Sequence, residues 1–304
     1  MFELTFLGTA ASAPLPKRGL SSAVVTHDEY RFMVDCGEGT QRQLLSSGLG
    51  FRRLEHLFIT HPHLDHLLGV GGLISTLSQW ETNDGVTIYG GKATLDKVED
   101  LIYRVVFRGA RAPIRIDLVE LKPGVVLKGE DFDVVAFPVR HRGPDCFGFI
   151  FQEHSRRPFL ADKATALGVP NGPQRKTLVQ GSPITLDDGR VIQPEDVLGD
   201  LRAGAKLVMT GDVGDAAAIL PAVRNATALV TEATYLDSDG DLARAHGHIS
   251  AGTAARLARD GGVDQLILNH ISGRHRERDI EDEARAIFPN TVIARDFDAF
   301  KVVK

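Results

Sequence analysis

The chain is a succession of short apolar runs broken by Gly, Pro and Asp, the texture of a strand-rich α/β protein. Glu3–Gly8 alternates and predicts a first strand, followed by a turn of small residues with Lys17 and Arg18 at its tip. Ser22–Thr26 and Tyr30–Val34 predict a hairpin, and Gln41–Ser47 a helix. Leu54, Leu57, Phe58 and Ile59 predict a buried strand. Pro62 has no N–H for a central ladder, so the chain must leave the sheet there. Gly69, Gly71 and Gly72 then lead into a helix over Leu73–Trp80. Val86–Tyr89 reads as a strand and Leu95–Val105 as a helix. Strands follow at Ile114–Leu121, Val125–Leu127, Phe132–Pro138 and Phe147–Gln152.

From Phe159 to Asp200 the periodicity weakens, and Pro, Gly and basic residues dominate. This stretch reads either as a surface excursion or as an arm that meets a large substrate. Beyond it α/β alternation returns. Strands are predicted at Lys206–Thr210, Ala228–Thr231, Gln265–Leu268 and, last, Thr291–Ala294. Helices are predicted at Ala216–Asn225, Ser250–Asp260 with Ser250 as N-cap, and Ile280–Ile287.

Length then limits the organisation. A chain of 304 residues accommodates one large domain or two small ones; it reads as a single domain over 1–304 with an arm or insert around 160–200. No apolar run is long enough to predict a membrane span. The N-terminus carries Glu3 where a leader would be basic, so it reads as a strand rather than a signal peptide. Two cysteines, Cys36 and Cys146, make no disulfide framework, and a cytoplasmic location is the default expectation. The net charge of -5 argues against a general nucleic-acid binder. A polyanionic substrate would need local basic patches or bound metal.

The chemistry concentrates at strand ends. His61, His63, Asp65 and His66 fall within six residues, directly after an apolar strand. His61 and His63, two apart in an extended loop, can lean to one side of one ion. Asp65 and His66 face a different direction, where a second ion could sit. Imidazole and carboxylate suit zinc, manganese or iron without a thiolate. His141, Asp212, Glu232 and His270 also lie just past apolar strands, and strand ends on one edge hold such groups rigidly. Asp35 reads as a group that orients a ligating histidine rather than a ligand itself.

His-x-His-x-Asp-His after a strand resembles the metallo-β-lactamase superfamily. The resemblance implies a four-layer αββα sandwich with metals at one edge of two sheets. It implies two divalent ions, Zn²⁺ first and Mn²⁺ or Fe²⁺ as substitutes. His61, His63 and His141 would hold one, Asp65, His66 and His270 the other, and Asp212 would bridge. That set is complete without Cys146. A shared hydroxide between two such ions can attack while both stabilise the oxyanion, and Asp65 can orient it.

The motif alone does not choose a reaction. Gly8-Thr9-Ala10-Ala11-Ser12-Ala13-Pro14, Asp35-Cys36-Gly37-Glu38-Gly39-Thr40-Gln41 and Gly168-Val169-Pro170-Asn171-Gly172-Pro173 resemble segments of ribonuclease Z, the tRNA 3′-processing family. So do Glu232-Ala233-Thr234 and His270-Ile271-Ser272-Gly273-Arg274. The likeness implies removal of the 3′ trailer from precursor tRNA, leaving a 3′-hydroxyl on the tRNA. It matches Glu232 and His248 to a carboxylate–histidine pair, and a histidine held protonated by a carboxylate suits the proton demand of a ribose alkoxide. It also implies a homodimer, with the arm of one subunit holding tRNA for the other. Lys17, Arg18, Arg175, Lys176 and Arg274 are the candidate tRNA contacts. Leu64 stands where the family usually has Gly, Pro62 where Leu is common, and His275 where Tyr is frequent. Two other readings use the same residues: a dinuclear phosphodiesterase for small or cyclic nucleotide diesters, and a metal-stabilised RNA-binding protein without turnover. Lactamase or thioesterase chemistry would not need the Glu232–His248 pair.

Overall fold

The computed structural model describes residues 1–80 and 83–304. Two seven-stranded mixed sheets carry the protein. The first runs, from edge to edge, Ala299–Val302, Phe2–Gly8, Ser22–His27, Tyr30–Val34, Leu54–Phe58, Gly85–Gly90 and Arg115–Glu120. The second runs Thr291–Ile293, Gln265–Asn269, Ala228–Glu232, Lys206–Met209, Phe147–Glu153, Phe132–Pro138 and Gly124–Lys128. In the first sheet the last four strands are mutually parallel. In the second, the three strands from Lys206 to Asn269 and the edge strand Thr291–Ile293 are parallel.

Side-chain alternation explains why the sheets stack. Phe58 faces the cluster between the sheets, with Phe6, Phe32, Phe149, Phe151, Leu207 and Val230. Its neighbour Leu57 faces the other way, against Leu73, Ile74 and Leu77 of the helix Val70–Trp80. On the second sheet Leu229 and Leu266 meet Ala254, Leu257 and Ala258 of the helix Ala251–Gly261. Strands buried on both faces read as continuous apolar runs. Three apolar clusters therefore separate four layers, the αββα arrangement that the resemblance implies.

Several boundaries moved. The helix expected over Leu95–Val105 is α-helical over Lys92–Glu99 and π-helical over Asp100–Val106. Thr291–Ile293 is not the final strand, because Ala299–Val302 follows and pairs with Phe2–Gly8. That strand is short and its sequence, Ala-Phe-Lys-Val, gives too few alternations to register as a period. Ser250 caps its helix as expected, accepting from the backbone N–H of Thr253 at 3.1 Å.

Glu153–Gly204 forms a second compact unit. It holds the helices Ala161–Ala166, Pro173–Val179 and Pro194–Val197 and the hairpin of Ile184–Thr185 with Val191–Ile192. Ala164, Val169, Leu178, Ile184, Ile192 and Val197 make its own small core. Elements of two to seven residues are too short to show a period, which is why the apolar periodicity of this stretch is weak.

Candidate metal centre

The strand Leu54–Phe58 delivers His61 and His63, and the short helix Leu64–Leu67 presents Asp65 and His66. Two close approaches seat that helix. A Cβ on Gly69 would stand 2.1 Å from the carbonyl oxygen of Gly37, and one on Gly37 would stand 2.4 Å from that of Asp65. Neither position tolerates a larger residue without moving the loop. His141, Asp212 and His270 arrive from the second sheet, each after a strand that ends within three residues of it. His270, Asp35 and Ser12 all adopt positive φ, at 53°, 61° and 60°. Such backbone costs energy and persists where the surroundings fix it.

Two groups of donors converge. In the first, His61 Nε2 lies 2.9 Å from His63 Nδ1, and His141 Nε2 lies 3.3 Å from the same atom. Asp212 Oδ2 stands 3.6 Å from His61 Nε2 and 3.7 Å from His141 Nε2. In the second, His270 Nε2 is 3.3 Å from both His66 Nε2 and Asp65 Oδ2. Asp212 Oδ1 stands 3.5 Å from His66 Nε2 and from His270 Nε2. The two oxygens of Asp212 thus serve one group each.

These distances test whether the residues fit a metal. A tetrahedral ion with bonds of about 2.0–2.1 Å has ligand–ligand edges of about 3.3 Å. Both groups match that figure to within a few tenths of an ångström. Asp212 is buried, and its Oδ1 accepts no hydrogen bond among the described residues. An anionic oxygen left so, facing imidazole nitrogens that themselves face each other, is a surrounding that a cation between them would satisfy.

The remaining ring nitrogens are pinned. His66 Nδ1 bonds Asp35 Oδ2 at 2.7 Å, and His141 Nδ1 bonds the Gly247 carbonyl at 2.6 Å. His61 Nδ1 meets Thr60 Oγ1 at 3.0 Å, and His270 Nδ1 meets Thr234 Oγ1 at 3.1 Å. Each such bond keeps a proton on Nδ1 and leaves the Nε2 lone pair turned inward. Asp35 has the orienting part expected of it: its carboxylate also accepts from the Thr60 backbone N–H at 2.8 Å. The Ser12 N–H donates to Asp65 Oδ2 at 3.0 Å. Burial lowers the basicity of His61, with the neighbouring His66 adding to it. Burial would raise the Asp212 carboxyl, but His270, His66 and His61 hold it well below the usual carboxylate range.

Glu232 and His248 stand beside the donors. Glu232 is fully buried, and is the last residue of its strand rather than the first beyond it. It accepts from the Val213 N–H and the Thr234 hydroxyl, both at 2.6 Å, and from His248 Nδ1 at 2.9 Å. Burial alone would lower the His248 imidazolium, but the Glu232 charge and hydrogen bond push it up to about 9. The His248 ring lies 5.0 Å from that of His141 and 5.5 Å from that of His270. His246, two residues before His248, bonds the Tyr235 hydroxyl at 2.8 Å instead.

The family model described as anti-Pycsar protein Apyc1 matches residues 2–162, just over half of the chain, which places the chain within the family it describes. That match ends before Asp212, Glu232, His248 and His270. Over nearly the full length, the chain is 50% identical to "Ribonuclease Z" of Bradyrhizobium sp. (strain ORS 278), covering 99% of this chain and 100% of the relative. The chain belongs to the ribonuclease Z family. The structure of human tRNase Z, short form, aligns with a TM-score of 0.68 at 26% identity, over 99% of this chain and 100% of that one. The metallo-beta-lactamase fold protein YhfI from Bacillus subtilis aligns with a TM-score of 0.70 at 17% identity, over 98% of each chain, and speaks for the fold. The chain is thus a metallo-β-lactamase-fold hydrolase, a metal-dependent endoribonuclease of the ribonuclease Z family, with clustered residues suited to divalent metal.

Among the basic candidates, Arg18 is corrected. It is buried, donating to Thr9 Oγ1, to the Ala294 carbonyl at 2.7 Å and to Glu277 at 2.7 Å. A guanidinium so engaged is a structural tie and cannot also grip RNA. Lys17 is exposed beside it. Arg274 is exposed, with Asp239 at 3.9 Å. In the second unit Lys176 is exposed, whereas Arg175 bonds the carbonyls of Val169 and Pro170 and sits over the Phe159 ring. Thr60 and Thr234, which orient His61 and His270, were not singled out from the sequence. Their signal was adjacency: one precedes the histidine cluster, the other completes Glu232-Ala233-Thr234.

Proposed function

We propose that this protein binds two zinc ions and removes the 3′ trailer from precursor tRNA in the cytoplasm, working as a homodimer. His61, His63 and His141 would hold one ion and Asp65, His66 and His270 the other, with Asp212 shared. When bound, such ions polarise the phosphodiester and make water a nucleophile near neutral pH. The protein's own part is orientation and proton supply. Asp35, Thr60, Thr234 and the Gly247 carbonyl keep the histidine lone pairs turned inward. Asp65, with one oxygen tied to Ser12, orients the attacking water. His248, charged through Glu232, donates a proton to the departing ribose oxygen, leaving a 3′-hydroxyl on the tRNA.

The observation that carries this reading is the place of His248. Its Nδ1 is taken up by a buried carboxylate, while its ring lies against a histidine from each donor group. A proton donor in that place suits a poor alkoxide leaving group. Arg274, Lys17 and the basic residues of the unit Glu153–Gly204, Lys176 foremost, would contact tRNA phosphates. The test is incubation of the purified protein with a precursor tRNA, with and without chelator, and mapping of the cut. Cleavage at the tRNA 3′ boundary that chelator abolishes supports the reading. A protein carrying metal that cuts only small diesters refutes it.

A further inference from the structure

The long turn after the first strand does more than cover the metal centre. With the start of the helix Thr40–Ser46 and the loop before the last strand, it walls an open groove of about 430 Å³. Its lining includes Lys17 and Arg42, both exposed and without an ion pair among the described residues, and Phe297. Phe297 is 43% exposed at a φ of 73°. A bulky aromatic residue in left-handed backbone is an outlier and persists only where neighbours fix it. Here they do: the Phe297 N–H donates to the Phe6 carbonyl at 2.7 Å. The preceding Asp296 accepts from Thr9 Oγ1 at 2.7 Å, the Gly19 N–H at 2.6 Å and Gln43 at 2.8 Å. A strained, rigidly held turn therefore presents an aromatic ring to solvent, where burial would have been favoured.

The charges of the groove are unequal in availability. Asp296 is engaged by three donors, and Arg18 by Glu277. Lys17 and Arg42 remain, with Glu38 as the other carboxylate besides Asp296 in the lining. The groove also lies close to the chemistry. Ser12 bonds Asp65, and Pro14, two residues on, already lines the groove. Two residues span at most about 7 Å, so the groove opens within roughly one or two nucleotides of the metal centre.

We infer that this groove is a subsite for a single-stranded nucleotide flanking the scissile phosphate, its base stacked on Phe297 and its phosphate held between Lys17 and Arg42. An aromatic platform flanked by cations is how proteins hold single strands without reading sequence. The inference rests on the RNA reading above and adds where the strand beside the cut is held.

The experiment uses the full-length protein loaded with zinc. Phe297→Asn removes the ring but keeps a residue that tolerates left-handed backbone; Phe297→Tyr keeps the ring. With precursor tRNA, Phe297→Asn should raise KM roughly ten-fold with little change in kcat, and Phe297→Tyr should restore it. The double variant Lys17→Ala/Arg42→Ala should flatten the salt dependence of RNA binding by about 0.7 in log–log slope, the loss of one phosphate contact. Circular dichroism and zinc content check that each variant is folded and loaded. An unchanged KM in folded, loaded Phe297→Asn overturns the subsite. So does a change in sedimenting mass with RNA affinity intact, which would make the ring part of a protein interface. If the wild type cuts no precursor tRNA, the reading above fails first. The groove is then judged by binding of a short oligouridine to wild type and Phe297→Asn, and equal affinities overturn it.

Discussion

Replacing His248 by Ala separates proton donation from everything else at the centre. Glu232 and the surrounding carboxylates raise His248 to about 9. At pH 7.5 roughly 97% of it would then be protonated, against about 9% for an ordinary histidine near 6.5. A positioned acid contributes about 10²–10⁴-fold when the leaving group is a poor one. His248→Ala should therefore lower kcat on precursor tRNA by that factor. Hydrolysis of bis(p-nitrophenyl) phosphate, whose phenolate needs no proton, should fall less than about ten-fold. Glu232→Gln should act in the same direction, because it removes the charge that keeps the proton on His248. The sign with pH follows: the acid form is present below about 9 and lost above it, so wild-type RNA cleavage declines at high pH while diester hydrolysis does not. The assay is kcat for both substrates from pH 6 to 10. Equal losses on both substrates, or parallel pH profiles, would refute the proton-donor part and leave His248 a structural neighbour of the ligands.

Other outcomes follow from the same geometry. Chelation should lower Tm by on the order of 10 °C, since a ligand at about a thousand times its Kd adds roughly 4 kcal/mol; an unchanged Tm with metal gone would mean the clustered histidines need no cation. Arg18→Ala should cost about 2–4 kcal/mol by denaturant titration, because it strands a buried bonding network, yet leave the salt slope of RNA binding alone. A change in slope would return Arg18 to the substrate. The Cys36 and Cys146 thiols are pushed by burial to about 12 and about 11, so iodoacetamide at pH 8 should label neither until denaturant is added. Deleting Gly168–Gly189 should raise KM for precursor tRNA while sparing the small diester; equal handling of both would remove the arm from tRNA binding.

The sequence by itself marked most of the strands and the histidines and carboxylates at their ends. Strands buried on both faces must be continuously apolar, so the chemistry stands out where those runs stop. Leu57, Phe58 and Ile59 running toward His61 and Leu207, Val208 and Met209 running toward Asp212 are the clearest cases. The likeness to a family then supplied the reaction. What the sequence could not show was pairing in space. Asp212 divides its two oxygens between donor groups, and His248, not His246, turns to Glu232, because Gly247 at a φ of 71° reverses the chain between them. Arg18 and Lys17 are adjacent in the chain and alike in charge, yet one is a buried tie to Glu277 and the other is exposed. Local composition sets which groups are available near an edge. Only the packing of the two sheets sets which of them share a few ångströms of dry space, and charge and hydrogen-bond energies depend on that distance and burial.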